Sequence, residues 1–433
     1  MMQIKRVTAA LYIMPALVLV DWINGLVGQN FGLESLPVSP GELARGFVFV
    51  LAFLLLLLHA QREIRGSLGL AILIGASLSL GFVKGVASGG GLGEADKVFK
   101  VMYGPVIAGA YLILFGRYGV SRNAVLGSET VMGAIAGLSI ALFQVLGVGH
   151  ATYGEAAYST GLFSAQNDIG LTMSLTLFCG VELLLSQPKV WWGVTCACTI
   201  AGMLTVGTRT GTLASFAVPV AVLWIHRDEM RSRRRAPVMV GLILLMVAGL
   251  GLAGIRQYDL ITSQNYQVNK YESLANGEMP RAFLLAGGLR YVVHRPLASD
   301  ITGDGSVTYM KGVSKALDLG QTKRITEIDW MDLFGMYGLL GLAAVYAFYL
   351  WFYTRVWRLR RFANRQLFWL AFGILSFYLL HATIAGHALA SPLPEGAMAP
   401  LLGFIWLIDR RGKQAPLPRR LARVAAAVDH DAG

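Results

Sequence analysis

Residues 326–341 read TEIDWMDLFGMYGLLG: three carboxylates, Glu327, Asp329 and Asp332, stand directly before a long apolar run. Acids in that position favour the positive N-terminal end of a helix, and the run behind them is long enough to pass into a bilayer. The stretch reads as a helix that starts at a membrane surface, and the rest of the chain has the same character. Of its 433 residues 55% are hydrophobic and only 14% charged, and mean hydropathy is +0.56, which excludes a soluble globular protein of this size.

Apolar runs of about 20 residues, the length that crosses the hydrocarbon core, fall near 8–28, 46–60, 67–88, 100–116, 127–147, 167–186, 190–206, 210–226, 236–256, 333–354, 366–386 and 395–409. The expected fold is all-α, a polytopic transmembrane helical bundle of about twelve spans. Four regions follow: spans one to nine over 1–256, a large loop over 257–332, spans ten to twelve over 333–409, and a basic tail over 410–433. The first apolar run follows Lys5 and Arg6 but lacks a small-residue cleavage pattern, so it reads as a retained helix.

Lys and Arg gather in alternate loops, including Arg62, Arg65, Arg117, Arg122, Lys189, Arg227, RSRRR at 231–235, Arg355 to Arg365 and the tail from Arg410 to Arg423. Because cytoplasmic loops retain basic residues, both termini are expected inside and the 257–332 loop outside. The net charge of +12 is then a topology signal with some attraction to anionic lipid, and not a nucleic-acid footprint. Cys179, Cys196 and Cys198 lie within spans, with neither disulfide nor zinc spacing.

A loop of this length is functional or disordered, and NYQVNKYESL, RAFLLAGGLRYVV and SVTYMKGVSKALDL carry enough apolar residues to fold. A mainly helical lid over the outer mouth is expected. RAFLLAGGLRYVV has helical spacing, with Gly287 and Gly288 as a candidate bend. Arg281 and Arg290 are nine residues apart, so an unbroken helix directs them to opposite sides; they serve one ligand only if the glycine pair breaks it. Arg290 and His294 share a face, the reading of which without a ligand is a solvated helix surface. Arg209, in the GTRTG turn, is one of few outer cations; it either snorkels to headgroups or offers a fork to phosphate oxygens. Asp329 and Asp332 suit the start of the next helix. DITGDG at 300–305 lacks the remaining spacing of a calcium loop. Asp21 beside Trp22 reads as an interfacial pair, and His381 and His387 flank the outer end of span eleven without a legible partner.

Four motifs in order carry a resemblance: GLFSAQND at 161–168, TRTG at 208–211, RAFLLAGGLRYVVHRP at 281–296 and GMYGLLG at 335–341. On these, over roughly residues 150–345, the chain resembles the bacterial O-antigen ligase and polymerase superfamily of integral membrane glycosyltransferases, which use undecaprenyl-pyrophosphate-linked sugars at the periplasmic face. Ligases of that superfamily carry a His-Asn pair eleven residues before the position of Gly338. Here Glu327 and Ile328 stand there, and the acidic E-x-D form is more similar to the polymerase branch.

The resemblance implies a GT-C-like bundle in the inner membrane. It implies transfer of a growing glycan from undecaprenyl pyrophosphate to a hydroxyl of a lipid-linked repeat unit. Glu327 would be the general base, with Asp329 as the fallback. Arg209 and Arg281 would stabilise the departing pyrophosphate, supported by Arg290 and Arg295, and Gln166, Asn167 and His294 would contact substrate. No metal or cofactor is expected. The implied partners are the undecaprenyl-pyrophosphate-linked oligosaccharide, membrane lipid and a polysaccharide chain-length regulator. A ligase acting on lipid A core is the alternative within the superfamily. A transporter or flippase of lipid-linked sugars is the alternative outside it, weakened by the lack of two-half repetition.

Overall fold

Pro15 and Gly338 decide where two long apolar helices are interrupted. A computed structural model describes residues 2–31, 39–59, 65–147, 151–152, 155–163, 165–227, 241, 280–319 and 324–414. Near the N-terminus α1 (Met2–Leu11) and α2 (Ile13–Phe31) separate at Tyr12, because Pro15 has no N–H to give the Leu11 carbonyl. There follow α3 (Pro40–His59), α4 (Arg65–Ala87), α5 (Leu92–Tyr118) and α6 (Arg122–Val145), then a short antiparallel hairpin of β1 (Ala151–Thr152) and β2 (Glu155–Ser159). Next come α7 (Gln166–Ser186), α8 (Val190–Val206) and α9 (Arg209–Ile225). The loop contributes α10 (Pro280–Val293), α11 (Leu297–Thr302) and α12 (Ser306–Ala316), and the chain returns through α13 (Asp329–Leu359), α14 (Arg365–Ile384) and α15 (Pro392–Gln414).

The described chain is thus helical apart from one hairpin, and eight of its helices are long and apolar enough to cross a membrane. Two shorter apolar helices, α8 and α9, and the more polar α15 also coincide with expected spans. The span expected over 236–256, apart from residue 241, and the segment NYQVNKYESL lie outside the described residues.

Helices α7 and α5 form the interior, with α7 buried along almost its whole length. Many exposed apolar residues lie on the outer helices, among them Phe47, Leu58, Ile72, Leu73, Leu213 and Leu380. That inverted distribution is the one a lipid-facing surface has. At the end of the bundle away from the loop, buried carboxylates tie helix ends together. Glu182 pairs with Arg122 and with His226, and Asp409 is clasped by Arg355, Arg358 and Lys413. The Asp21 carboxylate pairs with Arg45, joining α2 to α3.

At the loop end the DITGDG segment acts as a docking piece. Helix α13 contains a non-helical residue, Gly338, at φ 67° and ψ −169°, a conformation open only to glycine. The carbonyls ahead of such a break need donors. The Gly305 N–H donates to Met336 at 2.9 Å and the Asp304 N–H to Gly335 at 3.4 Å. A Cβ at Gly303 or Gly338 would overlap the facing backbone, so both glycines allow this close approach. Two further side chains fix the loop. Lys84 donates to the Thr302 hydroxyl at 2.7 Å and the Gly303 carbonyl at 2.8 Å. Buried Glu94 accepts from the Ser306 hydroxyl and the Val307 N–H, at 2.8 and 3.0 Å, capping α12.

Candidate functional site

The acids of TEIDWMD divide into two kinds. Asp332, one turn into α13, accepts from the Thr326 N–H at 2.8 Å, the Thr326 hydroxyl at 2.6 Å and the Tyr309 hydroxyl at 3.1 Å. Burial and the neighbouring Asp332 charge push the Tyr309 phenol up, so it remains a protonated donor. Asp329, only 6% exposed, accepts from three successive backbone N–H groups, those of His387, Ala388 and Leu389, each at 2.8 Å. These bonds pin the turn between α14 and α15 to the start of α13. Glu327 lies between Thr326, held by Asp332, and Asp329, and its own carboxylate stays part-exposed, with Oε2 3.7 Å from Arg281 Nε.

The backbone at this corner is strained. Glu327 and His387 both have left-handed φ, 59° and 62°, which non-glycine residues adopt at a cost of about 1–3 kcal/mol and which clusters at functional sites. Gly386, at φ 66°, lies directly against the Glu327 carbonyl, where a Cβ would not fit.

Glu327 and His387 line a cavity of about 200 Å³ with Asp329, Asp332 and, from other helices, Lys97, Lys100, Asp168 and Ser391. Asp168, in the first turn of α7, receives the Ser391 hydroxyl and faces His387 Nδ1 at 3.6 Å. Lys100 pairs with Asp96 at 2.7 Å. The cavity therefore carries both signs of charge at the end of the apolar helices, and its wall draws on α5, α7, α13, the 325–327 segment and the α14–α15 turn.

No family model and no curated protein sequence matches this chain.

The sequence-derived candidates separate once placed. Glu327 and Arg281 come together. Asp329 does not offer a base, because both of its oxygens are engaged by the 387–389 backbone. Arg290 does not join Arg281: α10 runs unbroken through Gly287 and Gly288, so the nine-residue spacing turns Arg290 about 180° away, where it is exposed. The glycine pair serves packing instead. Gly287 abuts Leu317, and Gly288 abuts Thr326, the Tyr309 hydroxyl and Met331.

His294 is exposed beside Arg290, its Nδ1 2.7 Å from the Arg290 carbonyl oxygen. Arg295 is no pyrophosphate ligand; its side chain is 2% exposed and bound to Asp300 at 2.7 Å, Asp304 at 3.4 Å, the Gly335 carbonyl at 3.0 Å and the Phe334 carbonyl at 3.3 Å. Arg209 opens α9 beside its cap Thr208, which packs on Gly170 of α7. Gln166 and Asn167 occupy the first turn of α7, and their neighbour Asp168 is the one that lines the cavity.

Lys97, Lys100, Asp168 and Ser391 escaped sequence reasoning. The available signal was DKVFK at 96–100, which puts two lysines at the loop end of a span, against the prevailing basic bias.

Proposed function

We propose that this chain is a polysaccharide polymerase of the bacterial inner membrane, a GT-C-like bundle of about twelve spans with its active site facing the periplasm. It transfers a growing glycan from undecaprenyl pyrophosphate to a hydroxyl of a lipid-linked repeat unit. The acceptor oxygen attacks the anomeric carbon and its proton passes to the Glu327 carboxylate. The bond from that carbon to the pyrophosphate oxygen breaks, and the electron pair leaves with undecaprenyl pyrophosphate. Arg281 is placed to meet the charge that develops there.

The observation that supports this reading most is that Glu327 lines the cavity with Arg281 3.7 Å away, while Asp329 is engaged through both oxygens and Asp332 through Oδ1. A carboxylate held between two anchored residues but itself accessible is suited to accepting a proton from a bound hydroxyl, and a guanidinium beside it suits a diphosphate. The resemblance of the four sequence motifs supplies the substrate class.

The test is conversion of a lipid-linked repeat unit by the purified protein. Products longer by whole repeats, with release of undecaprenyl pyrophosphate, are expected. Transfer seen only after lipid A core is added would assign a ligase instead, and movement of intact lipid-linked sugar without bond formation would assign a transporter.

A further inference from the structure

The cavity presents a cation that the mechanism above does not use. Of the three lysines on α4 and α5, Lys84 is taken up by Thr302 and the Gly303 carbonyl, and Lys100 by Asp96. Arg295 is enclosed by Asp300 and Asp304, and Arg281 faces Glu327. Lys97 lines the same cavity from α5, half-buried, and among the described residues its ammonium has no carboxylate within 4 Å. The acids whose charge reaches it, Asp96, Asp332 and Glu94, are engaged by Lys100, by Thr326 and Tyr309, and by Ser306 and the Val307 N–H.

We infer that Lys97 binds the diphosphate of the lipid-linked donor, a role that rests on the glycosyl-transfer reading above. A half-buried ammonium without a carboxylate partner gains most from an anionic ligand, because charge-assisted hydrogen bonds to phosphate replace water rather than an existing ion pair. Lysine suits this role as a compact point charge with three donors on a flexible stem, able to follow oxygens that move as the diphosphate departs. The cavity volume of about 200 Å³ is below the roughly 300–1,000 Å³ that encloses a whole drug-sized ligand. It takes the diphosphate end and the reacting sugar carbon and hydroxyl at Glu327, and leaves the rest of the glycan outside. Lys97 and Arg281 come from α5 and α10, so the donor's charge is held from two separate elements, with Glu327 beside the second.

The experiment uses the full-length protein in nanodiscs with undecaprenyl diphosphate as the probe. Acylation of each lysine by an amine-reactive reagent is followed by mass spectrometry, with and without saturating probe. Acylation at Lys97 should slow at least about fivefold, while the exposed Lys311 on α12 keeps its rate. In direct titrations Lys97→Gln should raise Kd about tenfold or more, the loss of one charge-assisted contact, and Lys97→Arg should stay within about threefold of wild type.

The footprint needs no variant, so a misfolded substitution leaves the question answerable. If the wild-type protein binds the probe and Lys97 is acylated at an unchanged rate, the assignment of Lys97 is wrong and the proposed function stands. If the wild-type protein does not bind undecaprenyl diphosphate at all, the glycosyl-transfer reading fails and the inference fails with it.

Discussion

Arg295 donates through its guanidinium to the Gly335 carbonyl at 3.0 Å, placing a positive charge where the first segment of α13 ends before the Gly338 break. The same side chain holds Asp300 and Asp304, and its Cζ lies 4.6 Å from the Phe334 ring centroid. A cation at a helix C-terminus is favourable, and here it also joins the loop to the broken helix.

Removing that side chain leaves Asp300 and Asp304 without their cation and two carbonyls without their guanidinium donor, although Asp304 keeps the Tyr291 hydroxyl at 2.8 Å. Arg295→Ala should destabilise the protein by about 3–5 kcal/mol, read as a lower melting temperature in detergent. Arg295→Lys, which keeps the charge and loses the fork, should fall between the two.

Gly338→Ala should also be strongly destabilising. The residue sits at φ 67° and its Cβ would overlap the Ile301 carbonyl, so backbone strain of about 1–3 kcal/mol adds to the clash. Limited proteolysis should then cut the 280–319 segment faster than in wild type.

Much of this fold was legible in the sequence because a span declares itself by length and hydropathy alone. Eleven of the expected spans coincide with helices, and α10 forms over RAFLLAGGLRYVV, although Phe283, Leu289 and Val293 of its apolar spacing are exposed. The partners of individual charges were less legible. Arg295 and Asp304 are nine residues apart and Asp329 and His387 are 58 apart, and nothing local marks either side chain as structural. Gly287 and Gly288 looked like a bend because propensity was the only information; their close contacts with Leu317 and Thr326 make them packing residues instead. Glu327 and Arg281 became candidates through the resemblance of the four motifs, whereas Lys97 and Asp168 became visible only when α5 and α7 were brought to one cavity.

The two acids of the E-x-D segment should respond differently to isosteric substitution. Asp329→Asn replaces one acceptor oxygen with an amide that faces a backbone N–H, so stability should fall by about 3 kcal/mol with activity falling alongside. Glu327→Gln leaves the Asp329 and Asp332 anchors intact, so the melting temperature should stay near wild type.

Arg281 and Arg290 make a matched pair on one helix. Arg281→Ala should lower the rate of chain extension by about 100-fold or more, the scale of a lost charge-stabilising donor. Arg290→Ala should remain within about threefold, since its side chain is exposed on the far side of α10. Rates measured on one preparation of lipid-linked repeat unit check both.

The most direct measurement follows extension of a purified lipid-linked repeat unit by wild type and Glu327→Gln, both reconstituted and both confirmed folded by thermal melting. Wild type should give a ladder of products, unchanged by EDTA because Arg281 and Lys97 supply the positive charge, and the folded variant should lose about 100-fold or more in rate. A Glu327→Gln protein that extends chains at the wild-type rate would contradict the assignment of Glu327 as the base and the reading of the cavity built on it.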